Sequence, residues 1–289
     1  MPGRQKQGTV FERINGEYYA LTNAEKKTAD YVMNHMDETQ FLSIAELAEE
    51  SGVAEATVSR FCRRLGYGGY NAFKLAIAND SAPRRSPGDA LTGQIGPEDT
   101  LEAVLRKVQT ADTAALNQTA ELLRPEAVRA AADELERANK VLCMGLGGSM
   151  LIAEEAAHLF SPCGGKFFPV RDAHMQNMAA AMLQPGDAVL YFSYSGATRD
   201  MAETLCIVRE RGAKVILVTR FPKSPGSALA DVVLQCGSNE SPLQLGSVAA
   251  RIAQLYLLDV LFSELCRRDL DTCRESRRRI AAALTDKHL

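Results

Sequence analysis

Residues 188–198 read AVLYFSYSGAT, and this stretch decides the fold class. The apolar run Ala188 to Phe192 has the length and composition of a strand buried on both faces, as in a parallel sheet. It breaks into Ser193, Tyr194, Ser195, Gly196, Ala197 and Thr198, and an amphipathic helical pattern follows from about Arg199 to Arg211. Hydroxyls and backbone N–H groups therefore gather where a strand's carboxyl end meets a helix amino terminus. That geometry holds anions, phosphate above all, and the hydroxyls can also bond sugar oxygens. A single Ser/Thr-rich turn reads equally well as a helix cap.

A second turn of the same kind changes the balance. Val141 to Met144 is another short apolar run, leading into Gly145-Leu146-Gly147-Gly148-Ser149 and a helical pattern over Leu151 to Phe160. Glycines let the backbone turn tightly and approach a ligand, and Ser149 adds a hydroxyl. The third glycine of a dinucleotide fingerprint is missing. In an open parallel sheet two such turns can face one crevice at the carboxyl ends of the strands.

Outward from these turns, strand and helix alternate. Candidate strands are Val141–Gly145, Lys166–Val170, Ala188–Phe192, Lys214–Thr219 and Val232–Cys236, and Ser247 to Arg268 is helical. The pattern predicts a doubly wound, five-stranded parallel sheet covered by helices on both faces.

Gly145, Gly147 and Ser149, with Ser193, Ser195, Gly196 and Thr198, resemble the two ligand loops of sugar isomerase (SIS) domains, over roughly Pro125 to Arg268. The resemblance implies a phosphosugar ligand, with Ser149, Ser193, Ser195 and Thr198 contacting its phosphate and Gly147 and Gly196 shaping the loops. Glu240, after the fifth strand, is a further candidate for sugar hydroxyls. In related isomerases a glutamate is the general base, which needs a nearby substrate and a suitable pKa. Asp172-Ala173-His174 reads either as a capped helix start or as a histidine reaching the crevice. Asp259 reads as a buried structural carboxylate or a site residue.

The chain of 289 residues is long enough for two ordinary domains, and its 46% apolar content is that of a globular protein. No apolar run reaches membrane-spanning length, and the amino terminus lacks a signal-peptide core, so a cytoplasmic location is expected. Seven cysteines are scattered without a C-x-x-C pair, and several fall in apolar patterns. They read as reduced structural thiols rather than disulfides or zinc ligands. His35, His158 and His288 have no metal-ligand spacing, so neither metal nor cofactor is expected. Residues 81–98, rich in Pro, Gly and Ser, are the clearest linker. The expected organisation is an all-α domain over 1–80, a linker with a connector or dimer helix over 81–124, and the α/β domain over 125–289. Arg277, Arg278 and Arg279 read as a solvated helix end, with a nucleic-acid contact the alternative.

Within the amino-terminal domain, Ser43-Ile44-Ala45-Glu46 fits a capping box, Ser51-Gly52-Val53 a tight turn, and Glu55 to Leu65 a second helix. Short helix, glycine turn, second helix is the helix-turn-helix pattern. At 100° per residue Val58, Phe61, Cys62 and Leu65 fall on one face of the second helix. Ala56, Arg60 and Arg63 fall on the other, flanked by Thr57, Ser59 and Arg64. Arginines bond guanine edges or phosphates, and small neighbours allow close approach to a groove. Thr57, Ser59, Arg60, Arg63 and Arg64 are therefore the candidate DNA contacts, against an ordinary solvated helix face. Residues 1–80 hold nine Lys/Arg and eleven Asp/Glu, a net −2, so the positive charge is local.

Leu21-Thr22-Asn23-Ala24-Glu25, Thr57-Val58-Ser59-Arg60-Phe61-Cys62-Arg63-Arg64-Leu65-Gly66-Tyr67 and Gly69-Tyr70-Asn71-Ala72-Phe73-Lys74 resemble the helix-turn-helix of RpiR-type transcriptional regulators, whose second domain is a SIS domain. Ala54 stands where that family often has Ser, so a hydroxyl N-cap is missing. Arg251 resembles an arginine recurrent in the regulators' final helix, serving either structure or ligand. The resemblance implies a non-enzymatic regulator that binds operator DNA, associates as a homodimer or homotetramer, and responds to a phosphorylated sugar.

Overall fold

The computed structural model describes residues 9–81, 95–238 and 247–285. Two compact units divide between Val108 and Gln109. Most of the linker (82–94), and Glu240, lie outside the described residues. Among the described residues, no helix is long and apolar enough to cross a membrane.

The first unit is helical: α1 (Val10–Glu17), α2 (Asn23–Asn34), α3 (Met36–Thr39), α4 (Ile44–Glu50), α5 (Glu55–Arg64) and α6 (Tyr70–Ser81). Local sequence fixes several boundaries. Thr9, Thr22 and Ser43 cap α1, α2 and α4, each in a reciprocal capping box with the glutamate three residues on. Gly52 and Gly66 end α4 and α5 at φ +63° and +88°. Val53 N–H donates to Ala48 O and Tyr67 N–H to Cys62 O, so both ends close as Schellman motifs. Val58, Phe61, Cys62 and Leu65 are fully buried, and Phe61 meets Phe73 of α6 edge to face at 5.6 Å.

Helix α7 (Leu101–Leu122) contains the boundary between the units. The second unit continues with α8 (Pro125–Arg137), β1 (Val141–Gly145), α9 (Gly148–Leu159), β2 (Phe167–Val170), α10 (Ala173–Ala181), β3 (Ala188–Phe192), α11 (Arg199–Glu210), β4 (Lys214–Thr219), β5 (Val232–Gln235), α12 (Val248–Arg268) and α13 (Leu270–Leu284). The five strands are parallel in the order β2-β1-β3-β4-β5. Alternate residues feed two cores. Val141, Cys143, Leu190, Phe192 and Ile216 pack under α8, α9 and α12. Leu142, Met144, Val189, Tyr191 and Val215 pack under α10 and α11. Every residue of β1 and β3 is buried. At about 1.5–3 kcal/mol for each large apolar side chain removed from water, these two strands anchor the unit.

From β1 the chain steps to β2 on one side, then crosses back so that β3, β4 and β5 extend the other way. The order reverses between β1 and β3, and such a switch point opens a crevice at the strands' carboxyl ends.

Candidate functional site

The two hydroxyl-bearing turns leave this switch point side by side. Gly145, the last residue of β1, pairs with Phe192, the last of β3. The turn carrying Gly147 and Ser149 thus starts level with the turn carrying Ser193, Ser195, Gly196 and Thr198, on neighbouring strands.

Each turn has the backbone its glycines permit. Gly147 is the N-cap of α9 at φ +55°, exposed, with open space around a hypothetical Cβ. Gly196 is buried at φ +58°, and a Cβ there would lie 2.1 Å from Ser224 Oγ and 3.0 Å from Thr219 Oγ1. Gly226 N–H donates to Gly196 O at 2.8 Å, tying the β3 turn to the segment after β4.

The hydroxyls divide by exposure. Ser193 is buried and its Oγ accepts from Gly196 N–H at 3.2 Å, so it braces the turn. Ser195 is exposed, and its Oγ accepts from Ala197 N–H at 3.3 Å. In both bonds the hydroxyl acts as acceptor, and exposed Ser195 can still donate to an outside oxygen. Thr198 is the exposed N-cap of α11 and makes no side-chain capping bond. Its hydroxyl is therefore not spent on the helix's first N–H groups, which an anion can take. Ser149, partly exposed, is the second residue of α9.

Two residues reach this region from elsewhere. Arg251 of α12 brings Nη1 to 3.5 Å from where a Cβ on Gly148 would stand, which puts a guanidinium at the amino terminus of α9. The sequence left its role open. Gln176 of α10 is fully buried: its Nε2 donates to Gly145 O and to Val170 O, each at 2.9 Å, and its Oε1 accepts from Tyr191 Oη at 3.1 Å. It clamps the ends of β1 and β2 beside β3, a role invisible to a reading that seeks hydroxyls and charges. His174 is exposed in the first turn of α10, and Asp172 caps that helix by accepting from Met175 N–H, as a capped helix start requires. Asp259 is exposed, which removes the buried-carboxylate reading.

On the helix-turn-helix, Ala56, Arg60 and Arg63 are exposed and Ser59 is partly so. Thr57 departs from the sequence reading, and Arg64 is exposed as expected but engaged. Thr57 is buried and its Oγ1 accepts from Arg60 Nη2 at 3.1 Å. Arg64 donates to Ala20 O at 3.0 Å and lies 3.3 Å from Glu25 of α2. Seven residues apart, the two share one edge of α5, and the Arg64 end of that edge is tied to α2. Glu25 is itself held below its ordinary pKa by bonds from Thr22 and the Arg64 charge, which outweigh its burial. Ala54 begins α5 without a side-chain cap.

Exposed arginines on the second helix of a helix-turn-helix, in a chain that also carries a parallel sheet with two hydroxyl-bearing turns at its switch point, are the features of a ligand-sensing DNA-binding protein. The comparisons agree. Residues 8–84 match the helix-turn-helix domain of the rpiR family, and residues 134–264 match the SIS domain. The chain is 32% identical to the HTH-type transcriptional regulator HexR of Pseudomonas aeruginosa, over 87% of each chain. It is 34% identical to an uncharacterized HTH-type transcriptional regulator of Caldanaerobacter subterraneus, over 84% of this chain and 85% of that one. The solved Vibrio vulnificus NanR, complexed with ManNAc-6P, superposes with a TM-score of 0.84 at 24% identity, covering 96% of this chain and 99% of that one. The chain belongs to the RpiR family of helix-turn-helix transcriptional regulators with a carboxyl-terminal SIS domain.

Proposed function

We propose that a phosphorylated sugar binds the switch-point crevice and changes the affinity of the helix-turn-helix for its operator. The observation that carries this reading is the pairing of Gly145 with Phe192, which starts both hydroxyl turns at one level on adjacent strands. In this reading the phosphate takes Ser149, Ser195 and Thr198 with the first N–H groups of α9 and α11. Ser193, Gly147 and Gly196 shape the turns, and Arg251 supplies the countercharge. Glu240 is proposed for the sugar hydroxyls. NanR, solved with ManNAc-6P, supports the ligand class. Arg60, Arg63 and Ser59 face the operator, Thr57 braces Arg60, and Arg64 ties the end of α5 to α2.

Binding operator DNA places this work in the cytoplasm. A homodimer or homotetramer is supported by apolar surface: Met175 and Met178 of α10 and Met182 at its C-cap are exposed at three- and four-residue spacing, as are Leu101, Leu105 and Val108 of α7. We read the chain as a sensor and not an enzyme, in keeping with its regulator relatives.

A thermal-shift panel of sugar phosphates tests the ligand, since a molecule that binds only the folded state raises the midpoint. Calorimetry on the best binder should show affinity lost in Ser195→Ala/Thr198→Ala while effector-free operator binding persists. Undiminished affinity in that double variant moves the ligand elsewhere, and turnover of the sugar phosphate makes the protein an enzyme.

A further inference from the structure

Three of the scattered cysteines converge in the second unit. Cys163 lies in a single 3-10 turn, Ser161–Cys163, just after α9, Cys266 lies near the end of α12, and Cys273 lies in the first turns of α13. Cys163 Sγ is 3.9 Å from Cys266 Sγ and 3.8 Å from Cys273 Sγ, and all three sulfurs lie within 4.8 Å of one another. Four sulfurs around a tetrahedral Zn2+, each at about 2.3 Å, stand about 3.8 Å apart. The thiols already hold nearly the edge lengths of one face of such a tetrahedron.

The sulfurs border open space. A cavity of about 160 Å3 opens beside Cys163 and Cys273, bordered by Lys166, Asp269 and Thr272. It gives a fourth ligand, water or a carboxylate, room to enter. Helix α13 depends on this point, because Cys273 is its one buried residue among those described.

We propose that Cys163, Cys266 and Cys273 bind a thiophilic d10 divalent cation, Zn2+ being the ordinary one, which pins α13 to the turn after α9. One M2+ displaces three thiol protons to give an M(SR)3 anion with its fourth position open to the cavity. No electron moves, and no co-reactant is needed.

The test uses the full chain, reduced and stripped of metal. Titration with Co2+, the spectroscopic stand-in for Zn2+, should develop sulfur-to-cobalt charge transfer and the intense visible bands of a tetrahedral site, saturating at one ion per chain. Stoichiometric Zn2+ should erase both, raise the thermal midpoint, and protect Cys163 and Cys266 from alkylation while exposed Cys206 still reacts. C163S, C266S and C273S, made singly, should each lower Zn2+ affinity at least tenfold, and C206S should leave it unchanged. Circular dichroism identifies the variants that fold, and the wild-type spectrum stands whichever of them fail. Absence of thiolate bands, binding that survives all three substitutions, or a Cys163–Cys273 disulfide in place of metal uptake overturns the proposal.

Discussion

Gly196 shows how one residue carries both fold and site. Its left-handed φ and the 2.1 Å approach of Ser224 Oγ to a hypothetical Cβ leave no side chain that fits. Gly196→Ala should cost about 2–4 kcal/mol from strain and overlap together, read by thermal or urea unfolding, and should abolish sugar-phosphate binding. Gly147→Ala meets strain without overlap, so about 1–2 kcal/mol is expected. The reverse change is available at Ala54, where α5 starts uncapped. Ala54→Ser should add about 1 kcal/mol of stability. A lower melting temperature in that variant would refute the capping account. The glycines and hydroxyls were legible because turn chemistry is local. Arg251 was named by resemblance with its role open, and its place at the start of α9 was not legible, because a guanidinium 103 residues along the chain from Gly148 leaves no local pattern.

At the scale of elements, α12 is fastened to α8 by charge. Arg268 lies 2.6 Å from Asp133 and 3.1 Å from Glu136 on α8, and Glu264 holds it from within α12 at 2.9 Å. Bonds from Arg267 and Arg268 hold the Glu264 carboxyl down to about 2. A carboxylate depressed in the fold stabilises it above the unfolded pKa and loses that contribution as pH falls toward the folded one. Glu264→Gln should therefore destabilise the protein by about 1–2 kcal/mol at neutral pH. The gap from wild type should close as the pH of the unfolding experiment drops from about 4.5 toward 2. A gap independent of pH would mean that Glu264 acts through packing. The apolar period gave α5 its inward face residue by residue. It set Thr57 beside the outward face, where packing buries it, because periodicity separates inside from outside but does not say which neighbour covers an edge.

For the whole molecule the issue is how the crevice speaks to α7. Tyr194, inside the β3 turn, donates through Oη to Ser238 O at 2.8 Å. Ser238, at φ +101°, donates its N–H to Gln118 Oε1 on α7 at 3.1 Å, and Gly237 N–H donates to Thr119 Oγ1 at 2.9 Å. A sugar that favours one arrangement of the turn acts on α7 along this route, provided it binds that arrangement better than its rival. Tyr194→Phe should keep sugar and effector-free operator affinities within about twofold. It should shrink the ratio of operator affinities with and without sugar, a coupling whose usual size is about 1–3 kcal/mol. An unchanged ratio removes Tyr194 from the route. The sequence by itself determined the order of strands and helices, the caps and turns, the two hydroxyl junctions and the family, because each is written in contiguous residues or in a period. Only the tertiary structure decided that the junctions open on adjacent strands, that Gln176 and Arg251 reach them, that Arg64 ties α5 to α2, and that three remote thiols meet. Those outcomes depend on which elements pack together, a property of the closed chain and of no single stretch of it.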